Sequence, residues 1–333
     1  MNRRIVLASR PAAEPTAENF SLETDLALPE PGSGEMLVKN LYLSVDPYMR
    51  GRMSDRASYA RPVALGEVMV GGTVARVVTS RADGYAPGDV VVGYGGWQDY
   101  AIFSTKDRQL LKVDPSLPIS TALGVCGMPG VTAYFGLNKL GQPKPGETVV
   151  VSAASGAVGS VVGQIAKLKG CRAVGVAGGP AKCAYVTSEL GFDACVDHRA
   201  PDLAGALKAA CPGGIDVYFE NVGGKVLEAV VPLLNDGSRV PICGFISQYN
   251  AEDPVTPFTV LGALPKPPAH RFFLVWEWPE EYPGAVAELV AWVKAGKIRY
   301  REDIVDGLAA APGALIGVLR GDNFGKKLVR LED

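Results

Sequence analysis

The stretch Val149-Val150-Val151-Ser152-Ala153-Ala154-Ser155-Gly156-Ala157-Val158-Gly159-Ser160 decides how this chain is read. A β-branched run enters a turn of small residues, and an apolar-periodic stretch leaves it. That predicts a strand at 148–152 and a helix from about 155 to 169. It is the Gly-x-Gly-x-x-Gly dinucleotide pattern with Ala154 in place of the first glycine. Gly156 lets backbone approach a pyrophosphate, Gly159 lets helix and strand close up, and the helix N-terminus attracts the anion. The uncharged run 148–166 nears the length of a membrane span, but Ser152, Ser155, Gly156, Gly159, Ser160 and Gln164 interrupt it. A soluble strand, turn and helix is the better reading.

Outward from this point the grammar differs on the two sides. Downstream, strands at 173–177, 194–197, 217–220, 238–243 and 272–276 alternate with helices at 181–190, 203–210 and 225–234. Such alternation predicts a doubly wound parallel sheet, hence an α/β class. Residues 254–268, with five prolines, read as a long ordered loop. Upstream, short strands at 35–42, 68–80 and 90–94 are punctuated by Pro31-Gly32-Ser33-Gly34 and Tyr85-Ala86-Pro87-Gly88-Asp89, as in a small β-barrel. The last 35 residues return to strand, helix, strand at 298–305, 309–319 and 326–331, and are expected to fold back onto the amino-terminal β domain.

Composition removes several function classes. The 333 residues suit two domains at ~150 residues each. The 35 acids nearly cancel 33 bases, which leaves no electrostatic footprint for nucleic acid. Cys126, Cys171, Cys183, Cys195, Cys211 and Cys243 form no Cys-x-x-Cys pair, and His198 and His270 stand apart, so no metal site is expected. Widely spaced cysteines fit a reducing cytoplasm. The amino terminus forms no signal-peptide apolar core, and no membrane partner is expected.

The second strand selects the nicotinamide cofactor. An NAD site wants Asp or Glu there for the ribose 2′-hydroxyl. This chain has Gly178-Gly179-Pro180-Ala181-Lys182 instead. Lys182 either meets a 2′-phosphate or is a solvated surface lysine; the missing acid is the stronger half of the argument. NADPH is read over NADH.

At full length the chain resembles the zinc-independent medium-chain dehydrogenase/reductases of the prostaglandin reductase, leukotriene 12-hydroxydehydrogenase and plant alkenal double-bond reductase group, which includes bacterial curcumin reductases. The likeness is carried by Leu41-Tyr42-Leu43-Ser44-Val45-Asp46-Pro47-Tyr48-Met49-Arg50-Gly51-Arg52-Met53, Gly127-Met128-Pro129-Gly130-Val131-Thr132, the run 153–169, Glu220-Asn221-Val222-Gly223-Gly224, Cys243-Gly244-Phe245-Ile246-Ser247-Gln248-Tyr249-Asn250 and Gly321-Asp322-Asn323-Phe324-Gly325-Lys326. The resemblance implies a GroES-like β-barrel domain at 1–124 and 299–333 around an inserted Rossmann NADP-binding domain at 125–298. It also implies an active site in the cleft and a homodimer. By position, Gly156, Ala157, Val158 and Gly159 would hold the pyrophosphate and Lys182 the 2′-phosphate, with Gly179 a further cofactor contact. Asn221, Cys243, Phe245 and Tyr249 would line the riboses. Thr132 with Phe273, Leu274 and Val275 would face the nicotinamide, and Asn323 would reach in from the return. Where relatives often have Tyr after the third strand, this chain has His198. A 2′-phosphate contact by His198 or Arg199, and ordinary loop polarity, both stay open.

With no zinc and no Ser/His/Asp set, the cofactor carries the chemistry. The implied reaction is hydride transfer from NADP(H) to the β-carbon of an α,β-unsaturated aldehyde or ketone, a small-molecule enone. Charge then builds on the carbonyl oxygen, which needs a donor. Tyr249 is the first candidate and Tyr48 the second; Tyr48 alternatively anchors its loop, and the cofactor ribose hydroxyl is a rival donor. Trp276 and Trp278 read as domain core. The runner-up functions are an NADPH quinone oxidoreductase and a dinucleotide-binding protein without turnover.

Overall fold

A computed structural model describes residues 1–56, 58–107 and 109–331, so the last two residues of the expected return, 332 and 333, lie outside it. β1 (Asn2–Leu7) pairs antiparallel with β2 (Phe20–Leu26). β2 is mostly exposed and shows no continuous apolar face, which is why pattern reading passes over it. β3 (Glu35–Ser44), α1 (Tyr48–Arg52), β4 (Thr73–Ser80), β5 (Val90–Gly93), β6 (Tyr100–Ser104) and β7 (Leu111–Lys112) follow. β3 is the hub, antiparallel to both β4 and β6. Its Met36 and Val38 pack with Ala75, Val77, Val91 and Phe103 in one core, the alternation expected of a curled antiparallel sheet. The strand expected over 68–80 starts only at Thr73. The preceding Gly71-Gly72 corner presses on Leu43, and a Cβ on Gly71 would lie 2.6 Å from its Cδ1.

The middle of the chain runs α2 (Met128–Phe135), β8 (Thr148–Ser152), α3 (Gly159–Leu168), β9 (Arg172–Ala177), α4 (Pro180–Ser188), β10 (Ala194–Asp197), α5 (Leu203–Ala210), β11 (Ile215–Phe219), α6 (Gly224–Val230), β12 (Leu234–Ile242), α7 (Pro257–Gly262), β13 (Ala269–Phe272) and α8 (Tyr282–Lys294). The parallel sheet has the order β10-β9-β8-β11-β12-β13. That is the doubly wound order 3-2-1-4-5-6, whose reversal between β8 and β11 is where such sheets bind ligands. Every residue of β8 is buried, as a strand covered on both faces requires.

Several boundaries differ from the sequence expectation. α3 opens at Gly159 rather than near 155, because Ala153 takes a left-handed φ of 52° and residues 155–158 form the turn. The helix expected over 225–234 ends at Val230, Pro232 sits in a single tight turn, and β12 begins at once. The strand expected over 272–276 ends at Phe272, and 275–277 is one helical turn. The proline-rich loop contains α7, whose Thr256 cap accepts from Thr259 N–H at 3.4 Å.

β14 (Glu302–Asp306), α9 (Ala311–Arg320) and β15 (Lys326–Arg330) complete the chain. β15 lies antiparallel to β3, with Leu328 opposite Ser44, and parallel to β14. The return therefore does join the amino-terminal sheet. Two compact units result, Met1–Gly124 with Glu302–Asp333, and Val125–Arg301. The border falls at 302 rather than 299. Gln164 on α3 grips Arg299 twice, Nε2 donating to its carbonyl and Oε1 accepting its N–H, each at 2.8 Å.

Candidate dinucleotide site

The residues at the carboxyl ends of β8 and β11 build the site. Ala153 holds a left-handed backbone that costs ~1–2 kcal/mol in a non-glycine residue. This aims its carbonyl at the opening of α3. A Cβ on Gly159 would lie 2.4 Å from that oxygen, and one on Gly156 3.1 Å from it, so the two glycines keep the loop against the helix. Ala154 replaces the first glycine of the pattern without strain on β9. Its partner there is Gly175, whose missing Cβ would fall 2.7 Å from the Ala154 methyl. Gly159→Ala is expected to destabilise the protein by about 1–3 kcal/mol, because backbone rather than a flexible side chain must yield. Thermal unfolding and NADPH titration check this, with binding expected to weaken at least as much as stability falls.

Across the sheet's reversal, Ser152 Oγ accepts the Asn221 N–H and Asn221 Nδ2 donates to Ser152 O, both at 2.8 Å. The Asn221 amide is thereby oriented through its nitrogen. Glu220, fully buried, sits just before it. The loop after β12 returns to the same place: Ile246 N–H donates to Asn221 O at 3.1 Å, and Ser247 N–H and Oγ donate to Val222 O at 3.0 and 2.6 Å. That loop carries Phe245 and Tyr249, whose rings meet edge-on at 5.4 Å. Phe245 N–H donates to Tyr249 Oη at 3.4 Å, and a Cβ on Gly244 would lie 2.7 Å from that hydroxyl. Burial, with Glu220 nearby, pushes the Cys243 thiol up to about 12, so it is a neutral, unreactive lining group.

Beyond β9, Gly178 and Gly179 form a bare shelf. A Cβ on Gly178 would meet His198 Nε2 at 2.9 Å and Arg199 Nε at 3.3 Å. Asp197, which sequence reasoning passed over, accepts from Gly179 N–H at 2.8 Å and Arg199 N–H at 2.9 Å. These backbone bonds hold its carboxyl below the usual range and turn it inward, toward the shelf's own backbone. Burial, then Lys225 and Arg199, lower the His198 imidazole. Its Nδ1 is buried with no hydrogen-bond partner among the described residues. Lys182 stands in the first turn of α4 and is half-buried. A basic rim around two glycines suits a phosphate ester better than a bare hydroxyl.

Other expected contacts are placed less directly. Thr132 Oγ1 donates to Met128 O at 2.7 Å within α2. Phe273 and Val275 are buried, and Phe273 packs on Phe219 at 6.1 Å, so their side chains belong to the core. Leu274 N–H donates to Glu277 Oε1 at 2.8 Å. Trp278 packs on Phe135 at 5.1 Å and Trp276 stacks on Tyr282 at 5.2 Å. In the other unit, Asn323 Nδ2 donates to Gly325 O at 2.8 Å. Tyr48 Oη there is buried with no hydrogen-bond partner among the described residues, and burial, then Tyr94 and Asp46, push its phenol well above the ordinary value.

The glycine-floored cradle, the oriented amide and the unsatisfied His198 nitrogen fit a dinucleotide with a 2′-phosphate. Among the described residues no group of three or more His, Cys, Asp or Glu is arranged to hold a metal, and no helix is long and apolar enough to cross a membrane. Residues 3–113 match the family described as the N-terminal domain of oxidoreductase, and residues 157–290 match the zinc-binding dehydrogenase family. The chain is 53% identical to an NADPH-dependent curcumin reductase of Escherichia coli, covering 99% of this chain and 97% of that protein. It is 42% identical to a 2-alkenal reductase (NADP(+)-dependent) of Nicotiana tabacum, over 98% and 97%. The crystal structure of CurA from Vibrio vulnificus in complex with NADPH superposes with a TM-score of 0.93, at 53% identity and 99% coverage of both chains.

Proposed function

The chain belongs to the zinc-independent medium-chain dehydrogenase/reductases of the prostaglandin reductase, 2-alkenal reductase and curcumin reductase group, and from that membership we propose an NADPH-dependent reductase of the C=C bond in α,β-unsaturated aldehydes and ketones. The observation that carries the reading is the pair of interlocked loops at the sheet's reversal, which present Asn221 and Tyr249 together. When bound, the cofactor supplies hydride to the β-carbon.

The protein's own groups do the rest. Gly156, Ala157, Val158 and Gly159 give the pyrophosphate close backbone and the opening of α3. Lys182, with His198 and Arg199, holds the 2′-phosphate. Asn221 accepts from a ribose hydroxyl. Tyr249 donates a hydrogen bond to the carbonyl oxygen as charge builds there, and the backbone N–H on its own oxygen strengthens that donor; a proton from a phenol or from water then completes the reduction at the α-carbon. Tyr48 is the second donor, neutral throughout the physiological range because burial holds its proton. Six free cysteines support a reducing cytoplasm, and the family resemblance supports a homodimer.

The test is NADPH oxidation by purified protein with a medium-chain 2-alkenal, beside NADH and a simple quinone. Rapid loss of NADPH with the alkenal and little loss of NADH is expected. Turnover with the quinone alone would replace this reading with the quinone reductase. Lys182→Ala is expected to narrow the preference for NADPH over NADH by about tenfold or more, the worth of one charge-assisted hydrogen bond.

A further inference from the structure

Glu220 is an acidic residue, completely buried, and uninvolved in the chemistry assigned above. Its Oε1 takes four donors: Ser152 Oγ at 3.0 Å, Tyr218 Oη at 2.9 Å, Val222 N–H at 2.7 Å and Gly223 N–H at 3.0 Å. Its Oε2 has no partner among the described residues. Its backbone is equally engaged. The carbonyl accepts Cys243 N–H at 2.9 Å and Gly244 N–H at 3.2 Å, and its N–H donates to Pro241 O at 3.0 Å. The side chain thus grips the turn bearing Asn221 and the main chain grips the root of the loop bearing Tyr249. Val222 O, held in place by that turn, then accepts from Ser247.

We propose that Glu220 is a positioning residue: its anionic carboxylate braces the 221–224 turn, and through it the 243–249 loop, in the geometry that receives the dinucleotide. The proposal rests on the cofactor reading above and extends it to a residue that touches neither cofactor nor substrate. Four donors converging on one oxygen call for an acceptor-only group, since a protonated carboxyl turns part of that capacity into a donor with nothing to meet. A carboxylate also strengthens the backbone bonds it accepts.

The brace is therefore sensitive to acid. Burial raises the Glu220 carboxyl above its ordinary value, while Gly223 and Val222 N–H and the Tyr218 and Ser152 hydroxyls pull it back. The titratable neighbours are Tyr218 on its own strand, raised well above its ordinary value, and Cys243 beyond β12, pushed up to about 12. From β8 the facing group is Ser152, which does not titrate. Both neighbours stay neutral through the acid and neutral range, so within this cluster a falling pH protonates only the carboxyl and loosens the turn.

The experiment is NADPH binding by fluorescence titration across that range, with Tm measured alongside, for wild type, Glu220→Gln and Tyr218→Phe. Wild type is expected to lose affinity as pH falls. Glu220→Gln keeps the shape and loses the charge, so it should bind roughly tenfold more weakly at neutral pH, with a flatter profile and little loss of Tm. Tyr218→Phe removes a donor that favours the anion, so its loss of affinity should begin at higher pH than in wild type. Wild-type affinity and pH profile in Glu220→Gln, or a lowered Tm with unchanged affinity, would overturn the brace while leaving the cofactor reading intact. A wild-type protein that binds no NADPH at any pH would overturn both.

Discussion

Tyr249→Phe lowers kcat on a 2-alkenal by about 100- to 1,000-fold, the measured worth of one donor to a developing oxyanion, and leaves the NADPH Kd within about twofold. The separation follows from the packing. The ring lies edge-on to Phe245 at 5.4 Å, and phenylalanine preserves that contact, so the substitution removes the hydroxyl and the long 3.4 Å bond it accepts from Phe245 N–H. A donor needed as charge accumulates acts on the transition state rather than on ground-state binding, so kcat and kcat/KM should fall together. Steady-state kinetics and cofactor titration on the same preparation check both halves. An intact kcat would move the donor role to Tyr48 or to the cofactor ribose, and Tyr48→Phe would then be the decisive variant.

Lys326→Ala destabilises the fold by about 3–5 kcal/mol, the usual cost of leaving one member of a buried ion pair alone. Lys326 Nζ donates to Asp46 Oδ1 and to Val45 O, each at 2.9 Å, and the two side chains are only 5% and 8% exposed. Ser44 Oγ donates to the other Asp46 oxygen. The pair ties β15 to the turn that leads into α1 and Tyr48, so the loss is not confined to one contact. Urea denaturation measures the single change. Lys326→Met combined with Asp46→Asn removes both charges and should cost much less than the two separate losses, because no charge stays uncompensated.

Local chemistry wrote a large part of this protein into its sequence. The strand, turn and helix at 148–169, the alternation behind it and the return of the last strands were legible, since side-chain periodicity and turn residues act over a few positions. The absence of an acid after β9 and the long motifs shared with the reductase family also needed only the letters. Boundaries were less legible wherever a residue acts against its propensity. Ala153 takes a backbone suited to glycine and delays α3, and Pro232 cuts α6 short so that β12 starts early.

What only the tertiary structure decided depends on partners far away along the chain. Ala154 is tolerated in place of glycine because Gly175, on the neighbouring strand, gives up the space. Glu220 meets Ser152 across 68 positions, and Lys326 meets Asp46 across 280. In the last two cases two polar groups that would stand in water as an open chain are brought into a place water cannot reach, where each must find the other. The sequence determined which sheet would form and what its reversal would hold; burial alone decided which carboxylate braces the loops there.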